Sequence, residues 1–126
     1  ESFMSDANMP NDTTNTDNIE NNVEITPEMQ SFYQRADEII GVANSQLGEK
    51  AHSGQVGASL LYAAARYSAS VASIGFVKGE DFAKEKEDII EFYTKQYRQM
   101  LSDNLTDYAQ NFDNYVQLNK NDTVGE

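Results

Sequence analysis

The stretch from Gln55 to Gly75 constrains the fold of this chain more than any other. It reads QVGASLLYAAARYSASVASIG, and Arg66 is its only charged residue. At the helical period, Arg66 and three serines form one narrow polar stripe, whereas apolar or small residues fill the rest of the circumference. A helix of this kind is normally covered on several sides. We therefore expect it to be the central helix of a small helical bundle.

Apolar residues at helical spacing predict one helix before this stretch and one after it. Thr26-Pro27-Glu28 has the residue types of a helix start, with a side-chain cap, a proline in the first turn and an early acid. Gly48 is predicted to cap the first helix at its C-terminus. The predicted helices are Pro27 to Leu47, Gln55 to Ile74 and Asp81 to Asn104. The third continues as a helix toward Tyr115, with a bend possible at Ser102-Asp103-Asn104.

These elements predict an all-α fold. The connections are short, which favours antiparallel neighbours in a three-helix bundle over residues 27–116, with a C-terminal helical extension. Residues 1–26 are rich in Asn, Asp and Thr and poor in apolar residues, so we predict a disordered acidic N-terminal tail. Residues 117–126 are predicted to form a polar C-terminal tail.

The charge and the cysteine content exclude several classes of partner. The chain has a net charge of −12, and the first 26 residues hold six of its acids and no base. Nucleic acids and anionic membranes bind basic surfaces, so neither is an expected partner. The chain has no cysteine, which suits a reducing compartment, and its N-terminus does not have the pattern of a signal peptide. We expect a cytoplasmic protein without a transmembrane segment.

No motif in the sequence indicates catalysis, a metal or a cofactor. His52 is the only histidine, it falls in a predicted loop, and no Glu-x-x-His pair of a carboxylate-bridged metal site is present. Its neighbour Ser53 is explained as a helix cap. The glycines have neither Walker nor dinucleotide-binding spacing. We therefore predict a protein that is not an enzyme and has no cofactor or metal.

Arg66 is the most informative single residue. In the middle of the central helix, its guanidinium is placed to pair with an acid on another helix, and Asp37 is the leading candidate, with Asn44 as a hydrogen-bond neighbour. The alternative is that Arg66 points to water while its stem covers apolar surface. Together with Tyr97, these residues form a candidate structural or ligand-binding cluster: Asp37, Asn44, Arg66 and Tyr97.

The third helix continues into aromatic residues beyond the predicted bundle. At helical spacing such residues are first of all core, but those that extend past the other two helices are typical of interfaces. We predict that this segment packs on a second copy or folds back across the bundle. The candidate interface residues are Tyr108, Phe112 and Tyr115.

Patterned residues of all three predicted helices carry a resemblance to a known family. They are Phe32, Ala36-Asp37, Ile40 and Ala43-Asn44, then Ser59-Leu60 and Ala64-Ala65-Arg66-Tyr67, and finally Tyr93, Gln96-Tyr97-Arg98, Met100-Leu101, Asn104-Leu105 and Asp107-Tyr108. Over roughly residues 32–112 the chain resembles an uncharacterised proteobacterial helical family, the domain of unknown function 3144. The resemblance implies a bacterial, cytoplasmic helical protein with no assigned activity and no catalytic residues.

Two functions remain open from the sequence. The leading hypothesis is a non-enzymatic helical interaction or assembly module. Its expected partner is another protein or a second copy of itself, in a homodimer. The alternative is a domain that binds a small ligand or an anion near Arg66 and the tyrosines of the third helix.

Overall fold

The computed structural model describes residues 25–116. Within them, α1 is Pro27–Ser45, α2 is Ser53–Ser73, α3 is Gly79–Lys84 and α4 is Lys86–Gln110, and a short helical segment covers residues 112–116. No strand occurs in residues 25–116, which confirms the predicted all-α class. The predicted polar tail and nearly all of the predicted acidic tail lie outside the described residues.

The described chain divides into two compact units. The first ends at Gly75 and contains α1 and α2, which contact each other, and the second begins at Phe76 and contains α3 and α4, which also contact each other. The single bundle over residues 27–116 stays a prediction.

The start of α1 follows the sequence signals, but its end does not. Thr26 is the N-cap, and its Oγ1 accepts a hydrogen bond of 3.1 Å from the backbone N–H of Met29. The helix ends at Ser45, two residues before the predicted Leu47, and Gln46 rather than Gly48 follows it as the C-cap. The Ser45 hydroxyl donates to the Val42 carbonyl, which satisfies a backbone acceptor of the last turn.

Gly48 belongs to the turn between the helices instead. Gly48 and Ala51 exchange two backbone hydrogen bonds, of 3.0 and 3.3 Å, as an isolated bridge. The next residue, His52, is the N-cap of α2, so the prediction that Ser53 is the cap was wrong. The His52 Nδ1 accepts from the backbone N–H groups of Gly54 and Gln55, and the Gln55 side chain accepts from the His52 N–H. This reciprocal pair is a capping box, with histidine in the place usually taken by serine or threonine.

α2 is far less covered than its sequence predicts. Only Val56 and Ala72 are buried hydrophobic residues in residues 25–116, whereas Leu60 is 37% and Leu61 55% exposed. Within its unit, α2 has α1 as its one neighbouring helix, and a single neighbour covers a single side of a helix. The position of α2 at the centre of a bundle stays a prediction. The helix ends as predicted near Gly75, which has a φ of +97°.

The third predicted helix is two helices in the structure. It starts at Gly79 rather than Asp81 and is interrupted at Glu85, whose backbone N–H bonds to the carbonyl of Phe82. The Phe82 ring packs on Phe76, with ring centroids 5.1 Å apart, and we attribute the separate α3 turn to this contact.

α4 then continues through residues 102–104 without interruption and ends at Gln110, beyond the predicted end at Asn104. The side chain of Asn104 is accommodated because its amide donates to the Met100 carbonyl one turn earlier. The helix stops at Asn111, and the segment 112–116 provides the helical continuation that the sequence predicts.

Candidate functional site

The residues of the predicted Arg66 cluster are all at the surface. Asp37 and Asn44 lie on α1 and Arg66 lies on α2, and all three are exposed. Within the described residues of their unit, no ion pair or hydrogen bond joins these side chains. Tyr97 lies on α4, in the second unit, and is 48% exposed. A cluster of these four residues stays a prediction.

α4 carries the more informative surface, an apolar stripe along its exposed side. Its members recur every three, four or seven residues, which at about 100° per residue places them within a sector of roughly 80°. They are 43% to 60% exposed. We call this surface the α4 stripe, and it consists of Ile90, Tyr97, Leu101, Leu105 and Tyr108. On another side of the helix, Ile89, Phe92 and Tyr93 are half-buried.

The polar residues that interrupt the α4 stripe are satisfied within the helix. The Thr94 hydroxyl donates to the carbonyl of Ile90 at 2.8 Å, and the Asn104 amide donates to the carbonyl of Met100 at 2.8 Å. Burial of an unpaired polar group costs free energy, and these hydrogen bonds reduce that cost in advance. Burial of Thr94 and Asn104 together with the stripe therefore costs less free energy than burial of unpaired polar side chains would.

A shallow cavity of about 660 Å³ that opens to solvent overlaps one edge of the stripe. All of its lining belongs to α4, and Tyr97, Arg98, Leu101 and Leu105 are among the lining residues. Ligand pockets usually bury most of their ligand between several elements. A surface formed by one helix does not enclose a small molecule in this way.

The candidate interface residues near the C-terminus form a local cluster. The rings of Tyr108 and Tyr115 stack with centroids 3.9 Å apart and an interplanar angle of 18°. The Tyr115 hydroxyl donates to Asp107 Oδ2 at 2.8 Å, and the Asn111 amide donates to Asp107 Oδ1 at 2.9 Å. The segment 112–116 is thus held against the last turn of α4, while Phe112 remains 57% exposed.

The hydrogen bond to Asp107 has an electrostatic consequence for Tyr115. It favours the protonated phenol, because the bond is lost when the hydroxyl ionises, and it raises the pKa of Tyr115 above its ordinary value of 10.0. Partial desolvation and the negative charge of Asp107 act in the same direction. Burial likewise raises the pKa of Tyr93. Sequence analysis missed this role of Asp107, although the spacing of four between residues 107, 111 and 115 is the signal that indicates it.

Other chemistry is not assembled in the part of the chain that the structure describes. No group of three or more histidine, aspartate or glutamate side chains is placed to hold a metal ion among residues 25–116. His52, the single histidine of the sequence, uses Nδ1 to cap α2. None of the described helices combines the length and the apolar character needed to cross a membrane.

The sequence matches a family described as "Protein of unknown function (DUF3144)" over residues 32–109. The chain belongs to this family. Among solved structures, it is similar to the NMR structure of the protein NB7890A from Shewanella sp., at 38% sequence identity and a TM-score of 0.59. That similarity covers 69% of this chain and 92% of the Shewanella chain. No curated protein matches the sequence. The family assignment confirms the resemblance, and the family has no assigned function.

Proposed function

We propose that this member of the family is a non-enzymatic interaction module that self-associates through its exposed apolar helix surfaces. The observation that carries the proposal is the scarcity of buried apolar side chains: only Val56 and Ala72 are buried hydrophobic residues among residues 25–116. Folding has to offset a loss of conformational entropy of roughly 1–2 kcal/mol per residue, and burial of apolar surface is the dominant favourable term. Association supplies burial that the single chain does not.

Large apolar residues are exposed on both α1 and α4, and those of the α4 stripe lie along one side of the helix. On α1, Ile39, Ile40 and Val42 are 49% to 60% exposed, and the α4 stripe is exposed to a similar degree. Single apolar residues at a protein surface are ordinary, but contiguous patches of this kind are typical of interaction sites. Two copies that share such surfaces would remove apolar area from water on both sides of the interface.

The remaining parts of the proposal concern the setting of the module. The net charge of −12 argues against nucleic acid as a partner, and the absence of cysteine is compatible with the cytoplasm of a bacterium. The alternative, a ligand or anion site near Arg66, receives no support from the geometry of α2 and stays a prediction.

The test measures mass and stability together on the full chain. We expect light scattering to give more than one copy at micromolar concentrations, and the midpoint of thermal unfolding to rise with protein concentration, because association stabilises the folded state by mass action. A stable, helical chain that stays monomeric at high concentration and unfolds at a concentration-independent temperature would refute self-association.

A further inference from the structure

We infer that the α4 stripe is the surface on which two copies of this chain meet, with their α4 helices antiparallel. The inference rests on the proposed self-association and adds its surface, its direction and its register. The occupant of the stripe is a second copy, and three features of α4 argue for it: the area that the stripe offers, the spacing of its residues and the charges on its flank.

The first feature is size. A Phe or Tyr side chain buries about 150–250 Å² when covered, so five half-exposed residues of similar or slightly smaller size present on the order of 500 Å². A standard interface covers about 800 Å² per partner, including a polar rim. The α4 stripe therefore supplies the apolar centre of an interface of ordinary size, and the flanking residues supply the rim.

The second feature is the spacing along the stripe. Intervals of four and three residues alternate from Ile90 through Thr94, Tyr97, Leu101 and Asn104 to Tyr108. Thr94 and Asn104 are the polar positions in this series, and Leu105 lies outside it. The alternation is the heptad pattern that packs one helix along another. The surface is about 27 Å long at 1.5 Å per residue, which matches a second helix of the length of α4 better than a globular surface.

The flanking charges choose the direction and the register. Glu91 and Arg98 lie on the same edge of the stripe, one heptad apart, and neither forms an ion pair within residues 25–116. In an antiparallel pair, equivalent edges face each other. When the two-fold axis passes between residues 95 and 96, Glu91 lies beside the partner's Arg98, and the same contact occurs a second time by symmetry.

In this register, Ile90 faces the partner's Leu101 and Thr94 faces the partner's Tyr97, so the central layers match. Asn104 and Tyr108 face the partner's Glu87 and Ala83, so the apolar match does not extend over the whole stripe. A shift by one heptad in either direction places like charges together, either Glu91 beside the partner's Glu91 or Arg98 beside the partner's Arg98. In a parallel pair, Arg98 faces no acid on the partner. The antiparallel register is thus the one in which both charges are paired.

The experiment is a charge swap on the full chain, read by sedimentation equilibrium at low salt. We expect Glu91→Arg and Arg98→Glu each to weaken dimerisation roughly tenfold, because two exposed attractions become repulsions. The double variant E91R/R98E restores the opposite charges and is expected to return the dissociation constant to within about threefold of the wild type. High salt should reduce all of these differences, since it screens exposed charges.

An apolar substitution with a matched control tests the surface itself. Leu101→Glu in the α4 stripe should abolish the dimer, whereas Leu47→Glu, in the turn between α1 and α2 and 45% exposed, should leave it intact. Both side chains are at least 43% exposed, so neither change removes a buried contact, and circular dichroism checks that the helices persist.

The outcomes separate the two proposals. A wild-type chain that is strictly monomeric overturns the proposed function together with this inference. A wild-type dimer that tolerates Leu101→Glu, or whose double charge swap is no better than the single variants, overturns the α4 interface and leaves self-association standing.

Discussion

The histidine cap of α2 gives the most sharply defined stability prediction. Gly54 and Gly57 both lie in α2, in its first and second turns. A Cβ added at Gly54 would lie 3.1 Å from Cε1 and 3.3 Å from Nδ1 of the His52 ring, whereas a Cβ added at Gly57 would meet nothing within 4 Å. An alanine at Gly54 would therefore contact the capping ring of His52, whereas an alanine at Gly57 would not.

The magnitudes follow from helix propensity and capping. Glycine in a helix is less favourable than alanine by roughly 0.5–1 kcal/mol, so Gly57→Ala should stabilise the chain by about that amount. At Gly54 the gain is opposed because the imidazole has to move, which weakens the hydrogen bonds from Gly54 and Gln55 to Nδ1. Loss of an N-cap costs about 1 kcal/mol. We expect Gly54→Ala to be neutral or destabilising.

A double-mutant cycle assigns the difference to the cap. Unfolding by urea, at a fixed protein concentration because association shifts apparent stability, gives the free energies of the wild type, Gly54→Ala, His52→Ala and the double variant. With His52 replaced by alanine, Gly54→Ala should become stabilising like Gly57→Ala, a coupling of about 0.5–1 kcal/mol. His52→Asn keeps a capping side chain and serves as the control. If Gly54→Ala and Gly57→Ala stabilise the wild type equally, the reasoning is refuted.

Three further predictions follow from single features. Thr26→Ala should destabilise α1 by about 1 kcal/mol in urea unfolding, with Thr26→Ser near neutral, because Thr26 Oγ1 caps the first turn. Gly75→Ala should lower the free energy of unfolding by roughly 1–2 kcal/mol, since Gly75 has a φ of +97°. Gly48→Ala should lower it by less, because Gly48 does not have a positive φ and an added Cβ there would meet nothing within 4 Å. The stabilising contribution of the bond from Tyr115 to Asp107 should be fully present below the ordinary tyrosine pKa of 10.0 and be lost as pH rises through the raised value, and Tyr115→Phe should remove one late-ionising phenol from the absorbance titration. A titration unchanged by Tyr115→Phe would contradict that last expectation.

The sequence predicts helix existence well and helix ends less well, for physical reasons. Helical periodicity sums over many residues, so the all-α class and the positions of α1, α2 and α4 follow from it. An end depends on one or two competing hydrogen bonds. Gly48 has the residue type of a C-cap, but its two bonds with Ala51 place it in a turn, and Ser45 closes α1 earlier by donating to Val42. At the break, the Glu85 N–H bonds to the carbonyl of Phe82, a local hydrogen bond that the helical period does not indicate.

The candidate site divides in the same way. The exposed aromatic residues near the C-terminus follow from spacing, because Tyr108 and Phe112 continue the helical pattern beyond the predicted end. The cap by His52 and the bonds that Asp107 accepts depend on side-chain rotamers, which residue types alone do not fix. The predicted role of Arg66 depends on which helix faces it, a property that lies outside the pattern of any one helix.

The difference between the pattern of α2 and its exposure has a physical meaning of its own. The hydrophobicity of a helix reflects how much of its surface is covered in the working state of the protein, whether the cover comes from the same chain or from another. α2 reads as a covered helix, yet Leu61 is 55% exposed in the single chain. The α4 stripe shows the same difference between pattern and exposure, and in addition it is flanked by Glu91 and Arg98, charges of opposite sign one heptad apart. Apolar character alone indicates that a surface is covered, without indicating by what. The positions of Glu91 and Arg98 favour a second α4 helix as the cover. For this reason we place the proposed interface on α4 rather than on α2.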